Sequence, residues 1–398
     1  MSLPLIKSQS EPQPRPVPAA AVSLHRLDWR AGGDRQRFLR VAERIHRQDP
    51  HWVAPLDSEM HAVLGLANPF HAHAEVQLWV AMRDGRETGR IAAVEDRSHN
   101  ALHGERTAFF GFFDCMDDPA VSAALFEAVS AWAAERGLDR LLGPMNPSIN
   151  DECGLLVEGF DRPPTLMTTY NPPYYARLLA QGGFVKAKDL YGFQIRVADA
   201  PAERLQRFLD RFARRHPDIQ LRAVSHRSLA ADVPRIKQVY NLAWERNWAA
   251  VPLTDAEIDF LVARLKPLLI PGMAWLAESR GEPAGFLLAL PAFNQVLKPL
   301  RGRLLSPGLL RAIPYLAGWK RPPGFRLVAL GVRREFHGRG IESAMLAQTL
   351  AACRREGFQE CEASWTLEDN VPVHRLAELF GGRRHKIWRL YQRPVPPK

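Results

Sequence analysis

One segment occurs twice in this chain. Trp79-Val-Ala81-Met-Arg-Asp-Gly85-Arg-Glu-Thr-Gly89 returns as Trp275-Leu-Ala277-Glu-Ser-Arg-Gly281-Glu-Pro-Ala-Gly285, at a constant offset of 196 residues. Such self-similarity means that one supersecondary unit is built twice, which narrows the fold more than composition can. Both copies read as β-hairpins, with apolar residues alternating on either side of a glycine turn. Upstream, Trp52 and Pro55 are echoed by Trp248 and Pro252. Downstream, residues 118–137 carry a helical period that ends in a glycine, and 341–357 are their counterpart. Each helix is followed by a predicted strand (138–144 and 358–366) and then a helix opened by an asparagine (171–183 and 370–382). This order predicts an α+β fold, a tandem repeat of two units, each a mixed, largely antiparallel sheet flanked by helices.

Residues 327–346 read as a buried strand, a tight basic glycine loop and the start of an apolar-periodic helix. Gly338 and Gly340 let the backbone approach a ligand, and the free N–H groups of the first helical turn, with Arg333, Arg334 and Arg339, favour a phosphate there. This stretch resembles motif A of the GCN5-related N-acyltransferase (GNAT) superfamily, which holds the pyrophosphate of coenzyme A. The resemblance implies a coenzyme A site at Val332, Arg333, Arg334, His337, Gly338, Arg339, Gly340 and Ile341, with Asn370 opening a helix that looks like motif B. Two positions depart from the pattern Arg/Gln-x-x-Gly-x-Gly/Ala, namely His337 and Glu342. A carboxylate about 4 Å from the pyrophosphate would oppose it by about 4 kcal/mol at an effective dielectric near 20. Either Glu342 points away, or the acyl donor sits differently. The superfamily often places a Tyr acid in motif B, and here that position is Ala377. The equivalent loop of the first copy, 113–119, has no glycine and three carboxylates, so the acyl donor is expected in the second copy alone.

At 398 residues the chain has room for two such domains. We place a disordered proline-rich tail at 1–21, a first domain at 22–198, a charged connecting helix at 199–218 and a second domain at 219–393. The tail lacks an apolar core of signal-peptide length, and no apolar run approaches a membrane span. The formal charge of +10 favours an anionic partner, for which coenzyme A, an anionic membrane and nucleic acid all qualify. Cys115, Cys153, Cys353 and Cys361 lack metal-ligand spacing and read as reduced thiols of a cytoplasmic protein. His71 and His73 have no evident third ligand, so no metal is expected.

General-base chemistry needs a carboxylate or histidine near the amine, with a pKa raised by burial. Glu152 fits. It lies in a segment, 143–164, that departs from the strand-to-helix pattern and packs Asn146, Ser148, Asn150, Asp151 and Glu152 between prolines and glycines. The alternative is a hydrogen-bonded interdomain loop. Asn150 is placed with Glu152 among the expected catalytic residues. Glu362, on the strand after motif A, and Glu245, at the end of the second copy's first helix, compete for the role of base. Glu245 also reads as a surface ion pair with Arg246 or Arg264, and Glu368 and Asp369 read as helix-capping charge.

Between Pro283 and Arg334 there is no Asp or Glu. An insertion at 295–325 interleaves Arg303, Arg311 and other basic residues with Leu309, Leu310, Ile313, Tyr315 and Trp319. Basic residues beside Leu, Tyr and Trp suit a helix lying in a membrane interface. The alternative is a buried helix whose basic residues face water.

Taken together, Phe109-Phe-Gly-Phe-Phe113, residues 146–156, Tyr170-Asn-Pro-Pro-Tyr-Tyr175, Lys186-Ala-Lys-Asp-Leu190 and Trp365-Thr-Leu-Glu-Asp-Asn370 are similar to the bacterial ceramide synthase-like family. The resemblance covers nearly the whole chain after the tail. It implies transfer of a fatty acyl group from acyl-CoA, as co-substrate and without another cofactor, to the amine of a sphingoid base. With the cysteines and the basic insertion, we expect a cytoplasmic protein, peripheral on the inner membrane, with an anionic membrane surface as partner and nucleic acid not expected. Two alternatives stay open. One is another tandem-GNAT transferase, dependent on aminoacyl-tRNA or acetylating a small amine. The other is a non-catalytic protein that binds acyl-CoA or lipid.

Overall fold

The computed structural model describes residues 21–245 and 247–397, so the tail expected at 1–21 lies outside the described residues apart from Ala21. The first copy supplies strands β1 (Ser23–Leu27), β2 (Ala74–Arg83), β3 (Arg86–Asp96), β4 (Thr107–Cys115), β5 (Arg140–Gly143), β6 (Met145–Asn146), β7 (Glu152–Cys153), β8 (Leu155–Glu158) and β9 (Val185–Arg196). Its helices are α1 (Gly32–His46), α2 (Asp57–Val63), α3 (Arg97–His103), α4 (Pro119–Glu135) and α5 (Tyr175–Gln181). Helix α6 (Ala202–Arg215) follows. The second copy supplies strands β10 (Ile219–Ala223), β11 (Ala274–Ser279), β12 (Glu282–Pro291), β13 (Gly324–Val332), β14 (Glu360–Leu367) and β15 (Arg383–Pro394). Its helices are α7 (Leu229–Trp244), α8 (Asp255–Leu265), α9 (Asn294–Leu297), α10 (Leu309–Leu316), α11 (Ile341–Arg355) and α12 (Val371–Leu379).

The repeated segments are the hairpins β2–β3 and β11–β12. Their turns, Asp84-Gly85 and Arg280-Gly281, have positive φ at both residues, which matches the twist of the strands they join. Helix α4 starts where the Asp118 carboxylate accepts from the N–H groups of Ala120 and Val121, with Pro119 in the first helical position. Helix α8 opens with a reciprocal box between Thr254 and Glu257. Asn171 does not open a helix. Its side chain clamps β8, accepting from Leu156 N (2.7 Å) and donating to Leu156 O (3.1 Å), and α5 begins only at Tyr175. Helix α6 buries Leu205, Leu209 and Phe212 in the core of the second copy.

The long strands join into one 13-stranded sheet in the order β1-β2-β3-β4-β5-β15-β9-β14-β13-β12-β11-β10, with β8 also paired to β15. The copies exchange their last strands. The first copy's β9 runs antiparallel to β14 of the second, and the second copy's β15 runs antiparallel to β5 of the first. These two exchanged strands also pair with each other. Neither half-sheet is complete without the other, since removing either would leave a long unpaired edge.

Each copy has one place where parallel neighbours part. Strands β4 and β5 pair only where 107–109 meets 140–142, and β13 and β14 only where 324–327 meets 360–363. Beyond those points the strands diverge and leave a gap, and the two gaps have different fates.

Candidate active site

In the first copy the gap is filled from within. The β6–β7 hairpin runs against β4, where Phe112 N donates to Asn146 Oδ1 at 2.6 Å. A Cβ at Gly111 would lie 1.7 Å from Met145 O, so only glycine admits this approach. The loop after β4 is closed as well. Cys115 N donates to the Tyr175 hydroxyl (2.9 Å), and the Tyr174 hydroxyl donates to Cys115 O (2.8 Å). All three loop carboxylates are engaged: Asp114 with Arg90 and His46, Asp117 with Arg177, and Asp118 with Arg83. Asp118 also caps α4, which takes up the N–H groups that would otherwise face a ligand there.

In the second copy the gap opens into a cavity of about 270 Å³. The diverging halves of β13 (327–330) and β14 (363–367) form one wall. Ile236, Tyr240 and Trp244 of α7 and Ile258, Leu261 and Leu265 of α8 form another. A Cβ at Gly331 would lie 2.5 Å from the Trp244 ring, so glycine lets α7 lie close against β13. Ala274, Phe286 and Leu288 line the sheet side. The first copy closes the cavity with Ile149, Asn150, Asp151 and Met167. The lining is chiefly aliphatic and aromatic, with polar groups from the first-copy loop (Asn150, Asp151), from α7 and the segment after it (Asn241, Glu245, Asn247), and from Lys266, Arg326, β14 and Asn370, an arrangement suited to a long alkyl chain with a polar head.

Past the cavity, β13 ends at Val332 and the glycine loop begins. Gly338 and Gly340 both have left-handed φ (75° and 77°), and an added Cβ at either would meet nothing within 4 Å. Gly340 takes the cap position of α11 with no side chain capping it. The N–H groups of Ile341, Glu342 and Ser343 therefore have no acceptor among the described residues, and they form a ready anion site at the helix's positive end. The cations are less free than expected. Arg339 is committed to Asp218, which also accepts from Ser279 Oγ. Arg333 pairs with Glu335 and donates to Pro283 O. His337 Nε2 lies 2.9 Å from Val332 O, and Arg334 is exposed. Asn370 lines the cavity at the start of α12.

The carboxylates sort by environment. Burial, reinforced by neighbouring Asp151 and eased by Arg326 and Arg264, pushes the Glu152 carboxyl up to about 7. No side chain or backbone group among the described residues donates to it. Asp151, one position earlier, is the acid in the cavity wall; Ser148 Oγ donates to it (2.8 Å), Arg264 stands 3.6 Å away, and burial raises its pKa. Asn150 is fixed by the Tyr240 hydroxyl (3.3 Å) and by its own bond to Val251 O (3.3 Å).

Glu362, expected as a competing base, is placed otherwise. It accepts from Thr165 (2.5 Å) and Ser364 (2.8 Å), and Lys386 stands 3.3 Å away. Although burial opposes ionisation, His385, Lys386 and Thr165 hold it well below the usual carboxylate range, so it is a poor proton acceptor at neutral pH. Glu245 is exposed at the cavity rim. One expected partner, Arg246, lies outside the described residues, and the other, Arg264, pairs with Glu59 and Asp151. Glu368 and Asp369 pair with Lys186 and Lys188. His73 bridges Asp96 and Glu257, and His71 stacks on Trp29. Among the described residues no His/Cys/Asp/Glu group of three or more could hold a metal ion.

Reading the sequence alone missed three cavity residues. Arg326 was detectable as a lone charge in an apolar strand. It is buried, and its guanidinium donates to Ser364 O, Leu166 O and Met167 O, pinning the first copy's loop to β14. Asp151 was seen only as a neighbour of Glu152. Tyr240 gave no signal beyond an aromatic on a helix.

The insertion lies outside this cavity. Leu309 and Tyr315 pack inward, whereas Arg303, Leu310, Arg311, Ile313 and Trp319 face outward. No helix among the described residues is long and apolar enough to cross a membrane.

Comparison with known proteins agrees with this architecture. The acetyltransferase (GNAT) family profile matches residues 234–381. The chain is 33% identical over 367 residues to the bacterial ceramide synthase of Caulobacter vibrioides, covering 90% of this chain and 94% of that one. It is 31% identical to protein YghO of Escherichia coli, with 91% and 93% covered. A tandem GNAT protein from the clavulanic acid biosynthesis pathway superimposes with a TM-score of 0.58 at 14% identity, over 95% of this chain and 99% of that one. That last likeness concerns the fold alone.

Proposed function

This chain belongs to the bacterial ceramide synthase-like family of tandem GNAT acyltransferases, and on that premise we propose that it transfers a fatty acyl group from acyl-CoA to the amine of a sphingoid-type long-chain base. The observation that carries this reading is the cavity between the copies, with apolar walls and the polar groups of Asn150 and Asp151 set into them. An acetyl group and a small amine would leave most of that apolar surface uncovered, which favours long-chain substrates.

The donor's phosphates lie against the N–H groups of 341–343, with its thioester between β13 and β14. Asp151 attracts the acceptor's ammonium into the cavity, and Asn150 orients its polar head. After the ammonium has lost one proton to water, the neutral amine nitrogen attacks the thioester carbonyl, so that a C–N bond forms as the C–S bond breaks and coenzyme A departs as thiolate. The nitrogen's second proton goes to the Asp151–Glu152 pair, of which Asp151 lines the cavity and Glu152, next to it in the chain, does not. A carboxyl pushed up to about 7 is partly ionised at neutral pH and is a stronger base than an ordinary glutamate. No acid stands at Ala377, so the thiolate leaves without one from that position.

Thiol release from a fatty acyl-CoA tests the reading. A long-chain 2-amino-1,3-diol should stimulate it, and neither a short soluble amine nor an aminoacyl-tRNA should substitute. Equal stimulation by the short amine would favour a small-amine transferase. Acyl-CoA binding without thiol release under any acceptor would favour a binding protein.

A further inference from the structure

The insertion between β12 and β13 plays no part in the chemistry above, yet it is firmly held. Phe293, Val296, Leu300 and Ala312 are buried beneath it, packed with Leu56 of the first copy and Leu268 of the second. Asp57 N donates to Gly302 O at 2.8 Å, and Lys298 donates to Pro50 O. With this inner face anchored on both copies, the outer face is a built surface.

That outer face is apolar and uncovered. Leu305 is 94% exposed, Trp319 77%, Leu310 75% and Leu316 50%. Interleaved with them along the chain, Arg301, Arg303, Arg311 and Lys320 are exposed and form no ion pair among the described residues. No acid occurs between Pro283 and Arg334, and among the described residues the insertion's one ion pair to a carboxylate is Arg321 with Glu356, at 3.2 Å. Exposed Leu and Trp interleaved with guanidinium and ammonium groups complement the layered chemistry of an anionic bilayer, with acyl chains below and phosphates at the surface. A second copy fits poorly, because a two-fold contact would bring the same basic rim against itself.

We propose that this face docks the protein on an anionic bilayer, with Leu305, Leu310 and Trp319 entering the interface and Arg303 and Arg311 meeting lipid phosphates. The cavity then lies beside the membrane. The insertion packs on Leu268, and the flanking Leu265, Lys266 and Leu269 line the cavity. For the acceptor's route this inference rests on the lipid-amine reading above: the amine would pass from the bilayer to the cavity without exposing its chain to water.

The test is co-sedimentation of the full chain, without substrates, on vesicles of phosphatidylcholine alone or mixed with phosphatidylglycerol. The wild type should pellet with the mixed vesicles. L310E/W319E should lose at least tenfold in partitioning while keeping its melting temperature and acyl-CoA affinity. R303Q/R311Q should lose roughly fivefold per residue at low salt on mixed vesicles and little on neutral ones. A wild type that stays in the supernatant with both vesicles, or an L310E/W319E protein that pellets unchanged, would overturn the proposal. So would a dimer in size-exclusion chromatography that L310E/W319E abolishes while vesicles bind neither form. If the wild type pellets but makes no amide from a long-chain amine, the surface stands and the acceptor reading falls. If it makes the amide but binds neither vesicle, the acceptor reading stands and the surface falls.

Discussion

Arg339 Nη2 lies 2.8 Å from both carboxylate oxygens of Asp218, so the cation at the centre of the glycine loop is already neutralised within the protein. On the proposed reading, the loop binds phosphate chiefly through backbone N–H groups and the end of α11, with Arg334 as a peripheral charge.

Gly340→Asp should abolish acyl-CoA binding, because it forces a side chain into left-handed φ and sets a carboxylate against the phosphates. Arg339→Ala should weaken binding only a few-fold. Titration calorimetry should give one site per chain, and neutralising Asp117 and Asp118 should not create a second, because Met145 and Tyr175 occupy that region of the first copy. A stoichiometry of two would contradict this.

Glu152→Gln should lower turnover by roughly a hundredfold or more. In the wild type, turnover should rise with pH through about 7 as Glu152 ionises, and the variant should lose that limb. Stability moves the other way. A carboxyl whose folded pKa is raised above its unfolded value costs stability once ionised, so the penalty grows from about pH 4.5 and levels off above about 7. Glu152→Gln should thus be more stable than wild type at pH 8, by on the order of 3 kcal/mol at most, and no more stable at pH 4.

Glu362→Gln makes the contrasting case. Removing one partner of a buried ion pair leaves Lys386 poorly compensated and should cost about 3 kcal/mol or more in denaturant unfolding, with turnover of the folded fraction nearly unchanged. The folded pKa is depressed, so this contribution is fully present above the ordinary glutamate range, declines as pH falls below it, and is lost as pH falls through the depressed folded value. A large loss of turnover in fully folded protein would return Glu362 to the candidate bases.

His73 ties the first copy to α8, a wall of the cavity, through Asp96 (2.9 Å) and Glu257 (3.1 Å). Those bonds raise it from 6.5 to about 9, so its contribution is fully present below pH 6.5 and lost as pH rises through 9. Because the imidazole is only half-buried, solvent screening limits the effect to on the order of 1 kcal/mol. The melting-temperature gap between wild type and His73→Ala should narrow between pH 6.5 and 9, and a gap independent of pH would exclude the charged form.

What could be read from the chain was local. The turn glycines Gly85 and Gly281 and the helical period ending at Gly137 act within a few residues, and they announced the hairpins and the helix after β4. The exchange of β9 and β15 was hidden because any apolar strand can pair with many others, and only the assembled sheet selects the partner. The same holds in the site. The 143–164 segment stood out by composition, but which of Asp151 and Glu152 faces the cavity depends on the loop's path. The Asp218–Arg339 pair spans 121 residues and left no trace in the motif. The reason for Gly111 within an apolar strand is the approach of Met145 O, which nothing near it in the sequence indicates.

The most direct measurement of the central claim is a competition followed by mass spectrometry of the products. The full chain would receive palmitoyl-CoA and acetyl-CoA together with a long-chain 2-amino-1,3-diol and a short amino alcohol, all equimolar. The expected main product is the N-palmitoyl amide of the long-chain base, formed mole for mole with free coenzyme A and lost in Glu152→Gln. Preferential acetylation of the short amine, or coenzyme A release without any amide, would contradict the claim.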